Sequence, residues 1–314
     1  MTSSPNPSCL RDVRARAFTV VELLVAVSVL TLIVLVLYGM FDQVQKALRG
    51  NVAQVDVLEG GRAAMQLLSK EMEQMDPGKV PGSTNLFISM TAPPYQQAML
   101  DPGTNRLNLL DQVFFLSHLN KTWIGTGYRV LSLNSNGIPT ALAENGAGTL
   151  CRYSFTNVSD ADFPNLAPPA NAPNSPRTNL CWQVMNRVLM NGIVSPPLSN
   201  LTNYQPVLEG VVHFHVRAFD RNGFLITNSF NTNIASGFQI WSNRFKNDLE
   251  YAYTFTNQAL PSDLEVEVGI LEPHVLERFK AFPDSNPTVA SNYLARQAGA
   301  VHLFQQRIPV RTAK

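Results

Sequence analysis

Histidine, cysteine and paired carboxylates are where chemistry would be sought first, and here their spacing is sparse. The chain has five histidines and three cysteines. None falls in H-E-x-x-H or paired C-x-x-C, and G-x-S-x-G elbows and Gly-rich phosphate loops are missing. Zinc hydrolysis, acyl transfer and nucleotide binding therefore lack their usual residues. His213 and His215 lie two apart in a strand-like run and face one way, with Arg217 next on that face. A metal there would need a further ligand and would sit beside a guanidinium, so a solvated sheet face is the expected role. Glu265 and Glu267 alternate with Leu264, Val266 and Val268, the pattern of a half-buried strand with its carboxylates in water. Hydrolysis by that pair would need a cleft. Trp123, Trp182 and Trp241 are expected in a sheet core rather than along a carbohydrate site. No catalytic residue, metal or cofactor is expected.

One ionisable residue stands apart. From Phe18 to Met40 the chain reads FTVVELLVAVSVLTLIVLVLYGM, 23 residues in which Glu22 alone ionises. At about 1.5 Å per residue such a helix spans roughly 34 Å, enough to cross a bilayer once. A carboxylate in that run costs on the order of 2.5–3.5 kcal/mol, so something must offset it. A cut before Phe18 would create an α-amino group, from the same or a parallel neighbouring subunit, able to pair with the carboxylate and set an axial register. Arg11, Arg14 and Arg16 precede the run and predict a cytoplasmic N-terminus, with the chain after about residue 41 on the far side. A removable secretory signal would be shorter and would end, not begin, at a small residue such as Ala17. An uncleaved signal anchor is the plainer alternative.

With 45% hydrophobic and 15% charged residues the chain is not globally disordered. A net charge of +1 offers no basic face to nucleic acid. Without residues 1–17 the balance is 21 basic against 22 acidic side chains. Removal of those residues also discards Cys9 and leaves Cys151 and Cys181 on the extracytoplasmic side, where a disulfide between them would add roughly 3–4 kcal/mol. Two separate buried thiols are the other reading.

Beyond Met40 the apolar residues Val44, Leu48, Val52, Val55, Leu58, Met65, Leu68, Met72 and Met75 recur at helical steps, a stripe suited to packing on a globular domain and to subunit contacts. Asp76, Pro77 and Gly78 end the helix. Gly39, Gly50, Gly60 and Gly61 are its weak points. Strands are predicted at 112–117, 128–133, 151–156, 181–189, 211–219, 264–271 and 301–310, with turns at Asn136–Gly137 and Asn222–Gly223.

The run RARAFTVVELLVAV resembles the leader of type IV pilins and type II secretion pseudopilins. In that family a prepilin peptidase cuts after a small residue and N-methylates the new terminus. The resemblance places the cut between Ala17 and Phe18, the methylation on Phe18, and the family's assembly glutamate on Glu22. Alanine replaces the usual glycine before the cut, and Gly39 stands where the family carries a helix breaker that loosens on assembly. More loosely, VLEGVVHFHVRAFD, Trp241 and LPSDLEVEVGIL look like J-type minor pseudopilins and PilW-like proteins. GRAAMQLLSKEMEQM and HLFQQRIPVRTAK look like Verrucomicrobia prepilin-like cassette proteins.

The resemblance implies an α+β fold, pilin-like, with a long N-terminal helix on an antiparallel sheet: leader 1–17, membrane helix 18–40, amphipathic continuation 41–76 and a periplasmic domain 77–314. It implies a minor subunit in the bacterial inner membrane that initiates or caps a filament. The partners are a prepilin peptidase, sibling subunits, an assembly platform and the bilayer, with no nucleic acid. A membrane-tethered binding module is the alternative, and a tethered enzyme is disfavoured by the missing motifs.

Overall fold

The computed structural model describes residues 19–78, 83–91, 95–98, 105–119, 122–155, 184, 201, 203–227, 238–242, 251–282 and 287–311. The chain forms two compact units, Met1–Val52 and Ala53–Lys314. Helix α1, Val20–Met72, belongs to both.

In the first unit α1 runs without interruption, and the side chains from Val20 to Phe41 that are large and apolar lie exposed. Val44, Leu48 and Val52 are exposed as well. The predicted stripe thus finds its cover only further on. Within the second unit Val57, Ala64, Met65, Leu68, Met72 and Met75 are buried, again at three- and four-residue steps. All but Ala64 form one core with Leu86, Ile88, Val113, Phe115, Val130, Val266 and Val268 of the sheet. The helix ends at Met72, earlier than the Asp76–Gly78 signal. Met75 bridges Ser117 as in a strand pair, and Asp76 N–H donates to the Leu116 carbonyl at 3.0 Å.

The second unit is built on one antiparallel sheet. Its strands are β1 (Thr84–Met90), β4 (Asp111–Leu119), β5 (Thr122–Leu133), β6 (Pro139–Leu142), β7 (Gly148–Phe155), β8 (Gln205–Phe219), β9 (Phe238–Ser242), β10 (Tyr251–Thr256), β11 (Asp263–Leu271) and β12 (Val301–Pro309). Their spatial order is β12-β11-β8-β7-β5-β4-β1-β10-β9, with β6 beside the end of β5. A separate ribbon pairs β2 (Tyr95–Ala98) with β3 (Asn105–Asn108). Two short helices, α2 (Pro273–Lys280) and α3 (Pro287–Ala295), connect β11 to β12.

The predicted strands 112–117, 128–133, 211–219 and 264–271 fall within β4, β5, β8 and β11, 301–310 overruns β12 by one residue, and 151–156 coincides with the end of β7 up to 155, residue 156 lying outside the described residues. The predicted strand 181–189 lies outside the described residues except for Val184, which is helical and buried. Both Asn-Gly turns form. Asn134 N–H donates to the Ile138 carbonyl around Asn136–Gly137. Asp220 N–H donates to the Phe224 carbonyl around Asn222–Gly223, and both glycines take the positive φ such turns need. Beyond the second turn Leu225 bridges back to Phe219, and Ile226 N–H donates to the Ala218 carbonyl at 2.9 Å.

The glycine pair Gly60–Gly61, read as a weak point from sequence, is a close approach. A Cβ on Gly61 would lie 2.3 Å from two carbons of the Phe304 ring on β12, and one on Gly60 would lie 3.3 Å from Leu208. Helix and sheet pack this tightly because neither position carries a side chain.

Candidate functional site

The start of α1 is a capping box. Thr19 N–H and Thr19 Oγ1–H both donate to Glu22 Oε2 at 3.1 Å, while Glu22 N–H donates to Thr19 Oγ1 at 3.3 Å. The Thr-x-x-Glu spacing that predicts this is plain in the sequence, and the assembly reading of Glu22 overlooked it. Ala17 and Phe18 lie outside the described residues. Gly39 sits in continuous helix, and a Cβ there would meet nothing within 4 Å. α1 is long and apolar enough to cross a membrane.

The face carrying His213 and His215 is not solvated. Both are buried, at 3% and 6% exposure, as is Asp111 at 5%. Leu109 N–H donates to His213 Nδ1 at 3.0 Å, so that nitrogen carries no proton and His213 Nε2–H points its charge-assisted bond at Glu267, 3.3 Å away. Burial, opposed by Glu267, holds the His213 imidazole below its ordinary range, and it is neutral at pH 7. The hydrogen bond from His213, and after it the charge of Arg217, hold the Glu267 carboxyl low against burial. His215 Nδ1 meets Asp111 Oδ2 at 2.7 Å, and the same oxygen takes Val216 N–H at 3.0 Å. Arg217 pairs with both Glu265 and Glu267. The two glutamates are thus bound into an ion-pair network across β8 and β11, not standing in water as sequence alternation predicts. This network pairs buried polar groups of β4, β8 and β11 with one another. Among the described residues no group of His, Cys, Asp or Glu is arranged to hold a metal ion.

A second polar joint fixes the tail of α1 to the sheet. Arg152 of β7 holds Glu71 through Nε at 3.0 Å and Nη2 at 2.8 Å, and Tyr128 of β5 donates its hydroxyl to the same carboxylate. Burial, then Glu71, push the Tyr128 phenol upward, so it stays a donor. At the chain's exit from the helix, Asn85 Oδ1 takes Gly78 N–H at 2.7 Å while its amide donates to the carbonyls of Asn257 and Ala259.

No protein-family model and no curated protein matches the chain. Among solved structures, a type IV-like pilin from Thermus thermophilus matches 82% of this chain and 100% of its own, at 12% sequence identity and a TM-score of 0.35.

Cys151 is buried, and burial pushes its thiol up to about 12; Sγ–H donates to the Thr149 carbonyl at 3.4 Å. Its proposed partner Cys181 lies outside the described residues, as does Trp182. Trp123 is half-buried against a core formed by Phe114, Leu116, Leu131 and Cys151, its ring 4.4 Å from that of His118. A cleft of about 870 Å³ opens between the β5–β6 and β6–β7 turns and α2. One wall is polar, with Ser132, Asn134 and Thr140, and the other carries Leu276, Phe279 and Phe282. Lys280, paired with Glu209 at 2.8 Å, stands at its side.

Proposed function

We propose that this chain is a minor subunit of a pilin-like filament, inserted in a bacterial inner membrane by α1 and helping to initiate or cap assembly. One observation supports the reading above the others. Glu22 is the single carboxylate in the exposed apolar stretch from Val20 to Met40 of α1, a helix long and apolar enough to span a bilayer. A neighbour's terminal ammonium would neutralise it and fix the axial stagger of parallel helices. The cap and that partner are compatible: both Thr19 bonds use Oε2, and a carboxylate has two oxygens with about four acceptor sites.

Under the same reading a prepilin peptidase cuts between Ala17 and Phe18 and methylates Phe18. The arginines of the leader keep the N-terminus cytoplasmic, and the sheet domain lies in the periplasm. Helix loosening at Gly39 during assembly, the Cys151–Cys181 disulfide and kinship to the J-type or PilW-like minor pseudopilins belong to this proposal. So does a non-enzymatic role within a type II secretion or type IV pilus-like system.

Replacing Glu22 by glutamine tests it. Glutamine serves in a capping box as glutamate does but carries no charge. Loss of filament incorporation in Glu22→Gln, with membrane insertion retained, supports the proposal; normal incorporation refutes it.

The cleft beside α2 favours a second reading, a membrane-tethered binding module that offers its sheet domain to a secreted substrate or surface. That reading expects Glu22→Gln to leave binding unaffected.

A further inference from the structure

β8 loses β7 as its ladder partner after Val211, and over the next turns of the pleat the stretch Leu109–Asp111 closes onto it. Phe214 N–H donates to the Leu109 carbonyl at 2.7 Å, and Leu110 pairs with Phe214 in parallel. The remaining joints are made by side chains standing where a ladder would have carbonyls. His213 Nδ1 accepts Leu109 N–H at 3.0 Å, and Asp111 Oδ2 accepts Val216 N–H at 3.0 Å. This clip anchors the β2–β3 ribbon, which enters it directly through Asn108. The ribbon's other tether is buried Gln97, whose amide donates to the Leu294 carbonyl of α3 at 3.0 Å.

We propose that the clip is an acid-sensitive latch: a proton on His213 Nδ1 sets two N–H donors against each other and releases Leu109–Asp111 from β8. The physical asymmetry is local. Nδ1 is the atom that must take the proton, because Nε2 already carries one toward Glu267. At Nδ1 the only bond in place is one that protonation abolishes, and the site is too buried for water to replace it. The ionisable groups that face His213 are Glu267 on β11, which favours the charged form, His215 on the same strand, which opposes it, and Asp111 on β4, which favours it. Arg217 is held by Glu265 and Glu267, and Arg106 of β3 donates to Gln97. His302 of β12 is bonded to Glu272. Opposite His213 on β11 stands Gly269, where a Cβ would come within 2.9 Å of the His213 Cβ, so β11 approaches His213 closely only because that position is glycine; His213 is 3% exposed. Release is therefore the way for the imidazolium to reach water. The latch does not depend on the filament reading.

Hydrogen–deuterium exchange on the full chain in lipid nanodiscs, corrected for intrinsic exchange rates and run from pH 7.5 to 5.5, tests the latch on peptides covering 109–116 and 212–216. One proton taken up on opening makes protection there fall about tenfold per pH unit below about 6.5. His213→Asn keeps an acceptor, Oδ1, near the place of Nδ1 and takes no proton; its protection is expected to be flat across the range. A flat wild-type profile, or an unchanged slope in His213→Asn, overturns the proposal. If His213→Asn fails to fold, ¹⁵N-histidine spectra of the wild type decide: Nδ1 protonation with the exchange protection at 109 and 214 retained overturns it, and joint loss supports it.

Discussion

Alanine at Gly61 should reverse its usual effect on a helix. In an open helix interior the change is worth about 1 kcal/mol in favour of the fold. Here the new Cβ would sit 2.3 Å from Cε2 and Cζ of Phe304 and 2.8 Å from Cε1. Ordinary carbon contacts begin near 3.5 Å, so the overlap exceeds about 1 Å and needs a ring rotation or a shift of α1 off the sheet. Overpacking of this kind costs about 1–3 kcal/mol, and the size of the overlap puts it toward the upper end, leaving Gly61→Ala about 2 kcal/mol destabilising. With Phe304→Ala as the background the clash is gone and the same change should stabilise by about 1 kcal/mol. The resulting coupling is about 3 kcal/mol, measurable by a double-mutant cycle in urea unfolding of the full chain in mild detergent, followed by tryptophan fluorescence. Gly61→Ala stabilising both backgrounds alike would refute the close-approach reading and restore Gly61 to a simple weak point.

Glu71→Gln, which strips the charge that holds Arg152 and Tyr128, is expected to cost about 1–3 kcal/mol in the same unfolding assay. Arg311→Ala, whose pair with Glu73 lies largely in water, should cost less than about 1 kcal/mol. Because the folded state holds His213 below its unfolded value, its contribution is full above about pH 6.5 and is lost as pH falls from there toward the depressed folded value. The unfolding free energy should drop across that window at up to about 1.4 kcal/mol per pH unit, and His213→Asn should remove that part of the slope. Iodoacetamide at pH 8 should leave Cys151 unmodified in the folded chain, since its thiol is buried and pushed up to about 12. Peptide mapping without reductant checks the proposed link to Cys181.

The sequence made some of this legible and concealed the rest for physical reasons. Strands β4, β5, β8, β11 and β12 announced themselves because β-branched and aromatic residues cluster there. The ribbon strand Tyr95–Ala98, YQQA, has no such signature; it is held by Gln97 reaching Leu294 and by Arg106 and Asn108 reaching Gln97. Alternation put His213, His215 and Arg217 on one face of β8 and Glu265 and Glu267 on one face of β11, and the pairing of the two strands brings these sets together. What alternation cannot reveal is that a segment 104 residues earlier closes over that face, and so the two histidines are buried where polar residues usually mark water. Likewise the apolar stripe was visible from Val44 to Met75, but burial begins only at Val57, because a stripe records which side of a helix is apolar and not how far a sheet extends along it.

Glu22 shows how two roles can be separated by sign. Its cost in an apolar surrounding is about 2.5–3.5 kcal/mol on insertion scales, and the capping box with Thr19 returns about 1 kcal/mol. About 1.5–2.5 kcal/mol of the penalty therefore stays with an inserted, unassembled chain. Glu22→Gln keeps the cap and removes the charge, so it should make insertion easier by up to that amount while abolishing the proposed pairing with a neighbouring terminus. Thr19→Ala should do the opposite, weakening the helix start by about 1 kcal/mol and leaving the charge for assembly. Insertion efficiency measured by protease protection and incorporation measured by crosslinking should thus move in opposite directions for Glu22→Gln. If Glu22→Gln incorporates normally while Thr19→Ala weakens insertion, Glu22 is there to begin the helix, and capping alone accounts for it.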